Sequence, residues 1–380
     1  MPDSPPFASA SRPTHVRHTV IGLMIGLAMV TYLDRASLAT LAPDIQREFG
    51  LSKQEMSIVF GSFALAYALF EVPTAWWADR IGTHRVLTRI VLWWSALTML
   101  TAAAFNRTSL VVIRFLFGAG EAGAWPCMAR TFSKWIPRQQ RGRVQGLFFA
   151  GAHLAGGLTP YFATQLNGLV GWRGVFVVFG LVGVAWVLAW RHWFRNTPEE
   201  HPAANPAECA LIAANRVPAA SGHAGWPYWR RVLAHRNTLP LCLGYIPNSV
   251  AFYFCITWLP TYLKEKHHFD ANALSFYSGL PLFMAIAGDL CGGTVTDWAV
   301  RHFGLRWGRA GVVVTGNLIA GIAMIMATMV SQPVAAICLF SVGATATMFT
   351  LGATWATCQD IGGAHVGVVS AAMNTAVQIV

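Results

Sequence analysis

Long apolar runs separated by short charged loops set the pattern of this chain. The runs fall at 19–43, 54–77, 86–105, 108–129, 143–166 and 171–193. After a polar stretch they resume at 237–262, 272–296, 309–329, 334–357 and 363–380. At about 1.5 Å per residue, helices of roughly 17–25 apolar residues cross a ~30 Å hydrocarbon core. The pattern predicts an all-α polytopic membrane protein with six spans, a linker and five more spans. The last run is still apolar at Val380, so a twelfth span is expected to be absent from this chain, leaving it short of transport competence. The expected divisions are a cytoplasmic tail at 1–18, a first bundle at 19–193, a linker at 194–236 and a second bundle at 237–380.

Composition sharpens this. Hydrophobic residues make up 55% and charged residues only 11% of the 380, where soluble domains carry about 25% charge. The net charge of +11 raises the possibility of a nucleic-acid partner. Its distribution excludes one, because most Lys and Arg sit in short loops on one side of the spans, as the positive-inside rule expects. That rule places the N-terminus, the 130–143 loop and the Pro-rich linker in the cytoplasm. The aromatic and basic end of the linker, Trp226 to Leu233, reads as a short interfacial helix. The seven cysteines are scattered without a Cys-x-x-Cys pair, which predicts no disulfide framework and no metal site. No cleavable signal peptide is evident in the polar first 18 residues.

Charges inside the apolar runs are the candidate chemistry. Tyr32-Leu33-Asp34-Arg35 lies near the middle of the first run, where an ionised group costs about 2.5–3.5 kcal/mol on insertion scales. Adjacent helical residues point about 100° apart, so Asp34 and Arg35 also face other partners. Such charges line a polar pathway. In the fourth run Arg114 and Glu121 lie seven residues apart, on one face but about 10 Å from each other. That is too far for a bridge along the helix, so each is expected to meet another helix. Arg114 reads equally as a structural strut. Glu121, among Gly118, Gly120 and Gly123, reads as functional, since small neighbours let a facing helix dehydrate it. Arg35 suits a carboxylate because its planar fork binds two oxygens, and Tyr32 shares its face.

The two halves partly repeat. After the second run comes Ala75-Trp-Trp-Ala-Asp79-Arg80-Ile-Gly82-Thr-His-Arg85, and after the eighth comes Gly293-Thr-Val-Thr-Asp297-Trp-Ala-Val-Arg301, then Gly304 and Arg306. In each, an Asp stands four residues beyond a small residue, followed by Arg and Gly. A small residue admits a neighbouring helix and the Asp anchors a charge network, the pattern of a duplicated transporter.

These loops resemble the repeated motif of the major facilitator superfamily. Tyr32–Arg35, together with Arg114-Phe-Leu-Phe-Gly-Ala-Gly-Glu121-Ala-Gly-Ala-Trp-Pro126, resembles the anion:cation symporter family within it. Thr257–Leu263 and Trp355–Gly363 extend the resemblance, which covers nearly the whole chain. It implies a major facilitator fold of two pseudo-symmetric six-helix bundles around one cavity. It further implies import of a small organic anion, of the sugar acid or dicarboxylate class, with protons; an uncoupled facilitator or exchanger is the alternative. Substrate contacts are expected from Tyr32, Arg35, Tyr67, His153, Thr354, Trp355 and Asn374, although His153 and Trp355 read equally as packing residues. Asp34 and Glu121 are expected to couple protons. Arg114, Asp79, Arg80, Arg85, Asp297 and Arg301 are expected to form a gating charge network, with Glu71 and Asp289 as further charges near the cytoplasmic ends. The remaining Trp and Phe residues read as lipid-facing or interfacial. No Gly-x-Ser-x-Gly or His-Glu-x-x-His motif points to an enzyme. The expected protein is a monomer of the bacterial inner membrane, without cofactor.

Overall fold

The computed structural model describes residues 12–214, 236–254, 259, 262–263 and 271–378. The first half comprises α1 (Val16–Phe49), α2 (Lys53–Ile81), α3 (Thr83–Thr101), α4 (Arg107–Glu121), α5 (Ala124–Trp135) and α6 (Arg141–Trp193). A short helix, α7 (Pro206–Ala213), lies in the connector. The second half comprises α8 (Thr238–Tyr253), α9 (Ala271–Met329), α10 (Pro333–Ile361) and α11 (Val366–Gln378). No strand occurs among the described residues. The predicted helix over 226–233, most of 257–263 and the residues before Arg12 lie outside them.

Local chemistry explains the boundaries. Ser52 and Glu55 form a reciprocal capping box at the start of α2, and Asn106 caps α4 through the Ser109 amide, each satisfying an otherwise orphaned donor. The predicted span 108–129 runs through α4 and α5 as one stretch, with right-handed helical backbone at Ala122 and Gly123 between them. Two helices, α6 and α9, each hold a pair of predicted spans. α6 bends at Gly171 (φ 70°, ψ 165°) and α9 at Gly304 (φ 75°, ψ 170°), conformations that a Cβ would strain. Gly171 separates the fifth and sixth predicted spans and Gly304 the eighth and ninth, the place that Gly82 takes in the first half. Residues 297–303, expected in a loop, continue the helix up to the second bend.

Among the described residues six helical stretches are long and apolar enough to cross a membrane. Large apolar side chains such as Leu169, Leu188 and Ile325 face outward, and the protein is an integral membrane protein. The lipid-facing reading of the aromatic residues is corrected for many of them. Trp94, Trp135, Trp190, Phe117 and Phe176 are fully buried, because they fill the spaces between helices of one half. Trp190, for example, stacks on Phe194 with ring centroids 3.7 Å apart.

The halves meet through α2 against α11 and α6 against α9. Small residues permit the approach: a Cβ on Gly367 of α11 would lie 2.9 Å from the Ala75 carbonyl oxygen, and one on Gly142 of α6 would lie 2.9 Å from that of Gly293. The connector is tied to the first half. Glu208 of α7 is fully buried and accepts from the Val16 and Arg17 amides, the Thr14 hydroxyl and the Arg17 guanidinium.

Candidate functional site

A central cavity of about 670 Å³ lies between the halves. Its lining runs from Trp125 and Trp355 toward Ala39, Leu158 and Phe283, away from the end of the bundle that carries the 79–85 and 297–306 loops. Tyr32, Arg35, His153, Trp355 and Asn374 line it. Tyr67 and Thr354 do not; Tyr67 packs behind Arg35, whose guanidinium carbon lies 4.8 Å from its ring centroid. Thr354 is buried, its hydroxyl donating to the Thr350 carbonyl at 2.9 Å.

Arg35 donates from Nε to Oε1 of Glu121 at 2.9 Å, linking α1 to α4. The Glu121 side chain is wholly buried, whereas that of Arg35 is 27% exposed. The cavity therefore meets the guanidinium, with the carboxylate behind it. Asp34 turns the other way and is buried toward α3, where Thr98 and Trp94 face it without closing a hydrogen bond. Arg114 is also buried; its guanidinium lies 4.3 Å from the Phe117 ring centroid and 5.4 Å from that of Phe63. No acid lies within bridging distance of it among the described residues.

Two further acids bridge the halves. Glu71 of α2 accepts from Asn374 Nδ2 at 2.7 Å and from the Thr375 hydroxyl at 2.9 Å. Asp289 of α9 meets Nδ1 of His153 at 2.6 Å. Both acids, expected near the cytoplasmic ends, contact residues of the cavity lining, Asn374 and His153. Below it, Trp125 stacks on Phe149 (5.4 Å, 5°), and Phe149 lies 5.6 Å from Trp355. This aromatic floor separates the cavity from the charged end.

At that end Asp79 accepts from the Gly367 and Val368 amides at 3.2 and 3.1 Å and pairs with Arg130. Arg130 also donates to the Ala364 carbonyl at 2.9 Å. Asp297 accepts from the Gly142 and Arg143 amides, each at 2.8 Å. Asp360 gathers Arg141 at 2.8 Å and Arg309 at 3.2 Å. Arg80 and Arg85 are exposed and outside these contacts, and Arg301 donates to the Asp297 carbonyl at 3.2 Å. The residues missed in the sequence are thus Arg130, Arg141, Arg309 and Asp360 at this end, and Tyr245, Asn248 and Phe149 in the cavity. Arg130 and Arg141 were visible as loop charges. Nothing in their spacing marked their partners.

Repeated helical halves around a charged, floored cavity define a polytopic membrane protein of the transporter class. The sequence profile of the Major Facilitator Superfamily matches residues 24–380, and the chain belongs to that family. It is 32% identical, over 94% of its own length and 83% of the relative's, to the probable sulfoacetate transporter SauU of Cupriavidus necator. It is 28% identical to the D-galactonate transporter of Escherichia coli, over 88% of this chain and 79% of that one. Among solved structures, the human organic anion transporter MFSD10 aligns with a TM-score of 0.73 at 12% identity, covering 96% of this chain and 91% of that one. The proton:xylose symporter XylE aligns at 0.70 and 12% identity, covering 95% and 86%. At such low identities these structures show the shared fold.

Proposed function

We propose that this protein carries a small organic anion across the bacterial inner membrane together with protons, by alternating access. The observation that supports it best is the Arg35–Glu121 pair, a cation presented to the cavity with a buried carboxylate behind it. When a substrate carboxylate takes the guanidinium fork, Glu121 loses its balancing charge in a buried site. A proton replaces that charge, since an unpaired buried ion is costly. The two relatives that accept organic anions agree with this substrate class. Tyr32, His153, Trp355 and Asn374 bound the anion in this reading, while Tyr67 and Thr354 support the wall from behind. Asp34 serves as a second proton-accepting group.

The basic end is cytoplasmic by the positive-inside rule. The cavity then faces the periplasm, with Asp79, Asp297 and Asp360 holding the inner gate shut. Breaking those contacts and re-forming others on the far side exchanges access. The test is uptake by the full-length protein in proteoliposomes. An inward proton gradient is expected to concentrate sulfoacetate or a sugar acid, and a protonophore to abolish the accumulation while leaving counterflow. Accumulation insensitive to the gradient would remove the proton from the scheme and favour the uncoupled exchanger.

A further inference from the structure

We infer that the cavity takes a compact dianion, one anionic end on Arg35 and the other on a protonated His153 backed by the buried Asp289. The inference rests on the proposed role of Arg35 and names the substrate class more narrowly. The cavity wall repeats one device. Arg35 and His153 both line it, and each turns a nitrogen back to a carboxylate that does not, Glu121 at 2.9 Å and Asp289 at 2.6 Å. Both carboxylate side chains are 0% exposed. The cavity therefore meets two cationic heads, with their counter-charges hidden behind them.

Asp289 supplies the counter-charge that a cationic His153 needs. Its Oδ1 is buried without a hydrogen-bond partner, and no Lys or Arg pairs with this residue among the described residues. An isolated carboxylate there would be costly, and an imidazolium at bonding distance is the cation on hand.

Tyr32 spaces the two heads. It stands three residues from Arg35 on α1, about 5–6 Å between Cβ atoms, and its ring meets that of His153 edge-on at 5.8 Å. A substrate touching both heads crosses the Tyr32 ring. That length suits a spacer of a few carbons between two anionic groups. Asn248 and Asn374 add neutral polar groups to the lining, which suits a polar spacer better than an apolar tail. A monoanion would satisfy only one head.

The test compares matched anions on the purified chain in lipid nanodiscs: D-glucarate against D-gluconate, succinate against succinamate, and sulfoacetate against 2-sulfoacetamide. Each pair keeps its length and removes one charge. At least one dianion is expected to bind about tenfold or more tightly than its partner. His153→Gln is expected to remove that preference, lowering the dianion's affinity by about tenfold more than the monoanion's. Asp289→Asn, which keeps a hydrogen-bonding group but no charge, is expected to reduce the preference too and serves should the first variant misfold. A purely structural tie between α6 and α9 would lower both affinities together, and that result overturns the inference. So does a preference that survives both substitutions. If Arg35→Ala leaves all binding unchanged, or no anion binds, the carboxylate anchor itself falls; if only the dianion preference is missing, the anchor stands alone.

Discussion

Asp79 and Asp297 make the same contact from opposite halves. Each caps the first turn of a helix in the other half, Asp79 on the Gly367 and Val368 amides and Asp297 on those of Gly142 and Arg143. A carboxylate at a helix N-terminus is favoured both by the orphaned amides and by the helix dipole. The small residue four positions earlier in each loop lets the capped helix come close. The repeated sequence thus builds a symmetric clasp at the basic end.

Loosening that clasp is expected to open the basic end. Cys358 is fully buried near it, with its sulfur 3.5 Å from that of Met373. In Asp79→Asn the pair with Arg130 is lost, and a membrane-permeant thiol reagent should label Cys358 about tenfold faster, a shift near 1.4 kcal/mol. Peptide mass spectrometry separates this site from the other cysteines. An unchanged rate would show that Asp79 does not hold the gate.

Arg35→Lys keeps the charge but loses the fork, so anion affinity is expected to fall by about tenfold or more with the protein still inserted. Arg35→Ala leaves Glu121 buried and unpaired and should cost stability as well, on the order of 3–5 kcal/mol. Isothermal titration and thermal unfolding read the two effects separately. Unaltered binding in both variants would remove Arg35 as the anchor.

Glu121→Gln mimics the protonated acid. It should still exchange substrate in counterflow but fail to concentrate it under a proton gradient. Coupling is reciprocal, so anion affinity of the unmodified protein should rise as pH falls, until the substrate itself is protonated, and Glu121→Gln should flatten that rise. Proton-driven accumulation by the variant would make Glu121 a structural acid.

Glu208 is predicted to fasten the connector. Glu208→Ala frees the amides at the start of α1 and leaves the Arg17 guanidinium without its carboxylate, contacts of 3.1 to 3.2 Å in the native protein. The expected loss is on the order of 3–5 kcal/mol, as for one member of a buried pair, read as a lowered unfolding temperature. A shift within error would show that α7 is only loosely held.

His201 gives the connector an acid limit. Its Nε2 hydrogen donates to the Trp193 carbonyl at 3.1 Å, and Nδ1 accepts from the Ala203 amide at 3.2 Å, so the neutral ring is the one that fits. Burial, foremost, holds its pKa below the ordinary 6.5. The unfolded state therefore binds more protons, and this stabilisation is full above about pH 6.5 and fades as pH falls through the folded value. His201→Gln should show a shallower loss of thermal stability between about pH 6.5 and pH 5. An identical acid limb would exclude this histidine as its source.

How much was legible in the sequence differs from feature to feature. Hydropathy alone marked the helical spans, because lipid forces every crossing segment to be both apolar and hydrogen-bonded within itself. The Asp79 and Asp297 loops announced the duplication. Arg35 and Glu121 stood out as charges that their own helices could not satisfy, and the seven-residue spacing of Arg114 and Glu121 already required partners elsewhere.

The pairing of those charges was decided only by packing. Glu121 meets Arg35 across 86 positions and Asp289 meets His153 across 136. No local period encodes such a separation. Arg130 and Arg141 read as ordinary loop charges, and Arg309 as the edge of an apolar run, until the halves close around Asp79 and Asp360, while Arg80 and Arg85, equally prominent in the motif, are exposed. A helix that is apolar all round does not declare which face is inside. Trp94, Trp135 and Trp190 therefore looked lipid-facing in sequence and proved to be core. Composition and spacing determined that this chain crosses a membrane in two related halves with charges at its centre. Which charge faces which, and that Arg35 and His153 each have a buried carboxylate behind them on one wall, required the tertiary structure, because only the docking of distant helices brings those groups within bonding distance.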